Sequence, residues 1–296
     1  MLKLEGTGGA AVKPSLHTLP SDGRWVRKVS APSLEDLFAS GAPPQIEARR
    51  LFFEGGFGAT YFTDARRELE WVRDDSSRAG EMVGCTAGAR ILLIGDSHMR
   101  CASNLLAEHL CGFAVTIDKP PAPNSPVAFS GCAAVDGVLF YSMDELGEFG
   151  VPAGQWDFVF ANYAQHFFSR ITSSMADYER EVARAAGTLM SYAMEHPEVH
   201  VAWVETHPFA ESTHLFQINH NDRRTYHRLQ LAVAAAKHAL EPYLSNSSSA
   251  LGYVPIFDFV MDISDWSDPT GHWSGIPELG KEISLRLLDF ICNTIS

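Results

Sequence analysis

RILLIGDSHMR, residues 90–100, is the stretch whose reading sets the fold. Ile91, Leu92, Leu93 and Ile94 make an unbroken aliphatic run that suits a short strand buried on both faces. MRCASNLLAEHL then repeats apolar side chains at helical spacing, and Gly95 between the two predicts a tight turn. Ser97 therefore falls where a buried strand meets a helix, a place from which a hydroxyl projects off the sheet edge. The first backbone N–H groups of such a helix can stabilise an oxyanion. Asp96 and Ser97 are also good helix caps, and that is the reading without chemistry. Serine is a weak nucleophile until a base takes its proton, so the catalytic reading calls for a histidine elsewhere in the chain.

Working outward from this stretch, the chain alternates strands with helices, which argues for a parallel sheet covered by helices. GFAVTI reads as a second strand, and the proline-dense DKPPAPNSP cannot continue regular structure. PVAFSG and GVLFYS read as short extended segments with Gly131 and Gly137 available for turns. WDFVFANY is a buried strand ending near Asn162. SSMADYEREVARAAGTLMSYAMEHP is the clearest helix: Ser174 and Asp177 resemble a capping box, and Met175, Tyr178, Val182, Ala185 and Leu189 share a face. HVAWVETHP supplies a strand, NDRRTYHRLQLAVAAAKHAL an amphipathic helix, VPIFDF a last strand and LGKEISLRLLDFIC a final helix. The count is about five strands in an α/β fold, and its ligand groups should gather at the carboxyl ends of the strands. Residues 1–84 lack this rhythm and are expected to be an extension wrapped on the core, with Trp25 and Trp71 as packing anchors; residues 85–296 form the catalytic domain.

Composition narrows the function classes. With 296 residues and 46% hydrophobic content the chain can bury a sizeable core. A formal net charge of -13 argues against nucleic acid or an anionic membrane as the main partner, because both reward clustered Lys and Arg. No apolar run is long enough to span a bilayer, and the N-terminal stretch lacks the apolar core of a signal peptide. The compartment stays open between the cytoplasm and a secretory route whose targeting segment is missing. Five cysteines permit one or two disulfides without implying any, and none has metal-like spacing. His214, His220 and His227 match no metal-ligand pattern, so no metal and no bound cofactor is expected.

The candidate base lies in SDPTGHW, where Asp268 precedes His272 by four positions. A carboxylate one loop turn from an imidazole can fix its tautomer and stabilise the imidazolium. Asp265 and Asp262 are rivals for that role. Ser97, Asn162 and His272 each follow a different strand, which would bring them to one sheet edge.

GDSHMR, Asn162 in NYAQH and the late Asp268 and His272 together resemble the SGNH hydrolase superfamily. More narrowly, GDSHMR, FDFVMDIS, HWSGIPE and GRWV at residues 23–26 are similar to the PC-esterase branch, which includes wall-polysaccharide, sialic acid and capsule O-acetyltransferases. The resemblance implies a three-layer αβα fold. It also implies Ser97 as nucleophile, His272 as base and Asp268 as its orienting acid. Asn162, the Ser97 amide and Gly131 would form an oxyanion hole, with Gly137 competing for the glycine's place. Two features depart from the family: its aspartate usually stands three residues before the histidine, and Ser274 occupies one position where plant members carry a cysteine. His98, Arg100, His166, Trp266 and Trp273 are candidate substrate-lining residues, with His207 near them; each histidine is expected to be a hydrogen-bonded neighbour rather than a second base.

Two functions of different class follow. The first is a serine esterase or O-acetyltransferase acting on carbohydrate hydroxyls or another small acylated substrate, with an acyl donor such as acetyl-CoA if it is a transferase. The second is a non-catalytic carbohydrate-binding or scaffolding protein on the same fold.

Overall fold

The computed structural model describes residues 23–27, 69–73, 82–112, 126–143, 149–169, 174–208, 226–245, 251–257 and 277–295. β1 (Gly23–Arg27) and β2 (Leu69–Arg73) pair antiparallel with Trp25 opposite Trp71. A 3-10 turn (Met82–Thr86) leads into β3 (Arg90–Gly95), followed by α1 (Ser97–Cys111), β4 (Pro126–Cys132), β5 (Val135–Ser142), β6 (Phe158–Ala161) and the short α2 (Gln165–Ser169). α3 (Met175–Glu195), β7 (His200–Val204), α4 (Tyr226–Leu244), β8 (Leu251–Val254) and α5 (Pro277–Ile295) complete the order.

Six strands form the main sheet in the spatial order β4-β5-β3-β6-β7-β8. β3, β5, β6, β7 and β8 run parallel, and β4 is an antiparallel edge on β5. Taken along the chain, the five parallel strands lie in the order 2-1-3-4-5, a doubly wound arrangement whose switch point falls between the first strand and the third. Here that point lies between β3 and β6.

Both sheet faces are covered, as the aliphatic run of β3 requires. Ile91 and Leu93 pack with α1 and α5; Leu92 and Ile94 pack with α3 and α4. All four side chains are fully buried, a transfer worth roughly 1.5–3 kcal/mol for each. The result is a three-layer αβα domain. The Ser174 hydroxyl accepts from the Asp177 amide and donates to its carboxylate, so the capping box starts α3 as expected. Tyr178, Val182, Ala185 and Leu189 form its buried face. Where α5 crosses β8, Gly252 makes room for Phe290: a Cβ there would lie 2.1 Å from the ring.

Several expectations are corrected. The last strand is β8, which ends before Pro255 instead of running through VPIFDF. Proline offers no N–H to a ladder, and the amides of Ile256 and Phe257 are taken by the Glu205 carboxylate at 2.9 and 2.6 Å. Gly131 and Gly137 lie inside β4 and β5, and the hairpin between those strands turns at Ala133 and Ala134. The cysteines, which allowed for one or two disulfides, form two, Cys85–Cys292 and Cys111–Cys132. They tie the turn before β3 to α5 and the end of α1 to β4. The GFAVTI strand lies, apart from Gly112, outside the described residues. Among the described residues, no helix is long and apolar enough to cross a membrane.

Candidate active site

Asp96 is the N-cap of α1: its Oδ1 accepts from the His98 amide at 3.0 Å, and its carbonyl accepts from the Arg100 amide at 3.2 Å. The capping reading of Asp96 is therefore right, and it places Ser97 as the first helical residue, with its amide at the positive end of the helix. Gly95 brings the chain into this turn against a neighbouring backbone. A Cβ at Gly95 would meet the Asn162 carbonyl oxygen at 2.2 Å, and φ is +158°. That contact is the crossing of the two loops at the switch point.

From the second loop, the Asn162 amide donates to the Ile94 carbonyl at 3.0 Å and extends the β3–β6 pairing. Its side-chain Nδ2 donates to the Val204 carbonyl at 2.7 Å, and the residue is buried. An amide nitrogen carries two N–H groups, so this bond fixes the plane of the side chain and uses one of them. Four residues on, His166 Nε2 stands 3.3 Å from Ser97 Oγ. That separation is at the long end for a hydrogen bond, where catalytic pairs in unliganded enzymes are often found. The His166 amide donates to Asp96 Oδ2 at 3.3 Å, so one buried carboxylate holds the starts of both α1 and α2. Gln165 is fully buried and donates to the His207 carbonyl at 2.8 Å, which anchors α2 on the end of β7.

Other expected site residues fall elsewhere. His98 and His207 are buried with their rings 4.4 Å apart, edge to face, in a cavity also lined by Met99, Cys101, Asn162 and Thr206. Arg100 is half-buried in the first turn of α1. Gly131 is a correction: β4 runs antiparallel, and its neighbour Ser130 pairs with Gly137, which pairs with Arg90. Gly131 thus lies at the opposite end of the sheet from Ser97, at least about six strand residues or roughly 20 Å away, too far for its amide to reach an oxyanion there. Gly137 fails for the same reason. Asp262, Asp265, Trp266, Asp268, His272 and Trp273 lie outside the described residues, as do His214 and His220. Among the described residues, no group of three or more His, Cys, Asp or Glu side chains is arranged to hold a metal ion.

Two carboxylates carry much of this geometry. Asp96 is one, expected as a helix cap but not as a tie to the second loop. The other is Glu205, 2% exposed at the carboxyl end of β7, which accepts from Tyr253 Oη and from the Ile256 and Phe257 amides and pairs with Lys237 at 2.8 Å. The signal available for both was a carboxylate placed directly after a buried strand.

No protein-family model matches the chain, and no curated protein sequence matches it. Among solved structures, it is similar to a Streptococcus pneumonia protein described by the name of platelet activating factor, with 13% identity, a TM-score of 0.45, and coverage of 87% of this chain and 96% of that one. It is also similar to a GDSL-like lipase from Parabacteroides merdae ATCC 43184, with 12% identity, a TM-score of 0.44, and coverage of 69% of this chain and 97% of that one.

Proposed function

We propose that this chain is a serine-dependent acyl-ester enzyme, an O-acetyltransferase or acetylesterase acting on carbohydrate hydroxyls. The observation that carries the reading is the Ser97 hydroxyl at the start of α1, at the switch point of a doubly wound sheet and 3.3 Å from an imidazole nitrogen. Ligands of such sheets bind in the crevice outside the carboxyl ends at that point.

In the proposed reaction, Ser97 Oγ attacks the acyl carbonyl carbon and its proton passes to His272, oriented by Asp268. The second N–H of Asn162 and the Ser97 amide hold the oxyanion. Collapse breaks the bond to the donor alcohol or thiol, which leaves with the proton, and an acyl-Ser97 ester remains. Water as acceptor makes the chain an esterase; a sugar hydroxyl makes it a transferase, with a donor such as acetyl-CoA. The GDSHMR and HWSGIPE segments favour the transferase branch by resemblance. The two disulfides fit folding in an oxidising compartment such as the secretory pathway.

The test is acetate release from p-nitrophenyl acetate and from an acetylated polysaccharide, with wild type beside Ser97→Ala and His272→Ala. Both variants should lose nearly all turnover, because members of a catalytic unit fail together. Slow hydrolysis that is diverted to product when a free glycan is added identifies a transferase. Full turnover in Ser97→Ala overturns the mechanism. A folded wild type that releases nothing returns the carbohydrate-binding reading.

A further inference from the structure

We infer that His166 is a second proton-handling residue, serving the acceptor in the deacylation half of the reaction; the inference rests on Ser97 being the nucleophile. Three observations carry it. His166 Nε2 already reaches Ser97 Oγ at 3.3 Å. The ring is exposed, whereas His98 and His207 are buried, so His166 meets solvent and any arriving hydroxyl. Its backbone is also tied to the same carboxylate that caps α1, since Asp96 Oδ2 takes the His166 amide and Oδ1 the His98 amide. The backbone that carries the imidazole is therefore fixed beside the start of α1, within reach of Ser97.

Once Ser97 is acylated, the acceptor oxygen must bond to the same carbon as Oγ. A ring nitrogen within reach of Oγ is then within hydrogen-bond reach of the attacking oxygen. The acceptor O–H gives its proton to His166 Nε2 as its oxygen bonds to the acyl carbon. When the tetrahedral intermediate collapses, the bond from that carbon to Oγ breaks and Oγ takes the proton from Nε2, which restores the Ser97 hydroxyl and a neutral ring. No other reactant is needed.

The experiment is the pre-steady-state reaction with p-nitrophenyl acetate, read as p-nitrophenol release and as acetyl-Ser97 by intact mass. His166→Ala and His166→Gln should both keep a burst near one equivalent, accumulate acetyl-Ser97 and turn over about 100-fold more slowly, at the lower end of what general acid-base catalysis contributes. Added imidazole should speed the loss of acetyl-Ser97 from His166→Ala, read by intact mass, while Ser97→Ala should release p-nitrophenol no faster than imidazole and the ester do without protein. A merely structural His166 would not respond to imidazole. Wild-type turnover with no acetyl-enzyme in either His166 variant overturns the inference while Ser97→Ala, still dead, keeps the nucleophile. Loss of the burst together with turnover overturns the acceptor-side role. Turnover in Ser97→Ala, or no reaction of wild type, removes the Ser97 reading and the inference with it.

Discussion

At Gly95 the chain has no room for any side chain, because the backbone of the neighbouring loop passes where a Cβ would stand. The obstacle at 2.2 Å is the Asn162 carbonyl, not the flexible end of a side chain, so relief requires moving one of the two loops that form the site. Gly95→Ala is expected to destabilise the fold by at least about 3 kcal/mol and to lose Ser97 reactivity. Denaturant unfolding beside labelling with a fluorophosphonate checks both, and a variant with wild-type midpoint and labelling would show that the loops do not cross this closely. Asp96 works beside it by accepting two amides from two elements, and a side-chain cap of this kind stabilises by about 1 kcal/mol. That the residue before Ser97 is a good cap can be read from GDS. Its second bond, to an amide seventy residues on, cannot.

Helices α3 and α4 pack side by side on one face of the sheet, and their partnership extends to the surface. There Glu179 of α3 meets His238 of α4. The hydrogen bond and the charge of Glu179 raise the His238 pKa from its ordinary 6.5. Because the folded value is raised, the contribution of this pair is fully present below the unfolded value and is lost as pH rises through the higher folded one. An NMR titration should place the His238 midpoint above 6.5 and Glu179→Gln should bring it down; no change on substitution would mean the pair does not form in solution. The facing surfaces of these helices were legible from apolar spacing, since Val182, Leu189, Leu229, Val233 and Leu240 all lie in the shared core. The end of β8 was not legible in the same way. VPIFDF has strand-like composition, but a proline and a carboxylate from the end of the neighbouring strand decide where the ladder stops.

Across the whole molecule, the Cys85–Cys292 disulfide joins residues 207 apart, linking the entrance of β3 to the last helix. Opening a link over so long a loop is expected to cost about 2–5 kcal/mol, chiefly through the freedom returned to the unfolded chain. Cys85→Ser combined with Cys292→Ser should lower the denaturant midpoint, as should reductant. An unchanged midpoint in both would mean that the bond does not form. Alkylation of the denatured, unreduced protein should modify only Cys101, the cysteine outside both disulfides. Local pattern alone determined the alternation of strands and helices, the burial of β3 on both faces, the α3 cap and the place of Ser97 at a strand-to-helix turn, because each depends on side chains a few residues apart. Tertiary structure decided what depends on register between distant segments. It sent Gly131 to the far end of the sheet, since an antiparallel edge strand reverses which of its ends lies near the site. It also set His166 against Ser97, since strand order places β6 directly beside β3, and no spacing along the chain records which strands become neighbours.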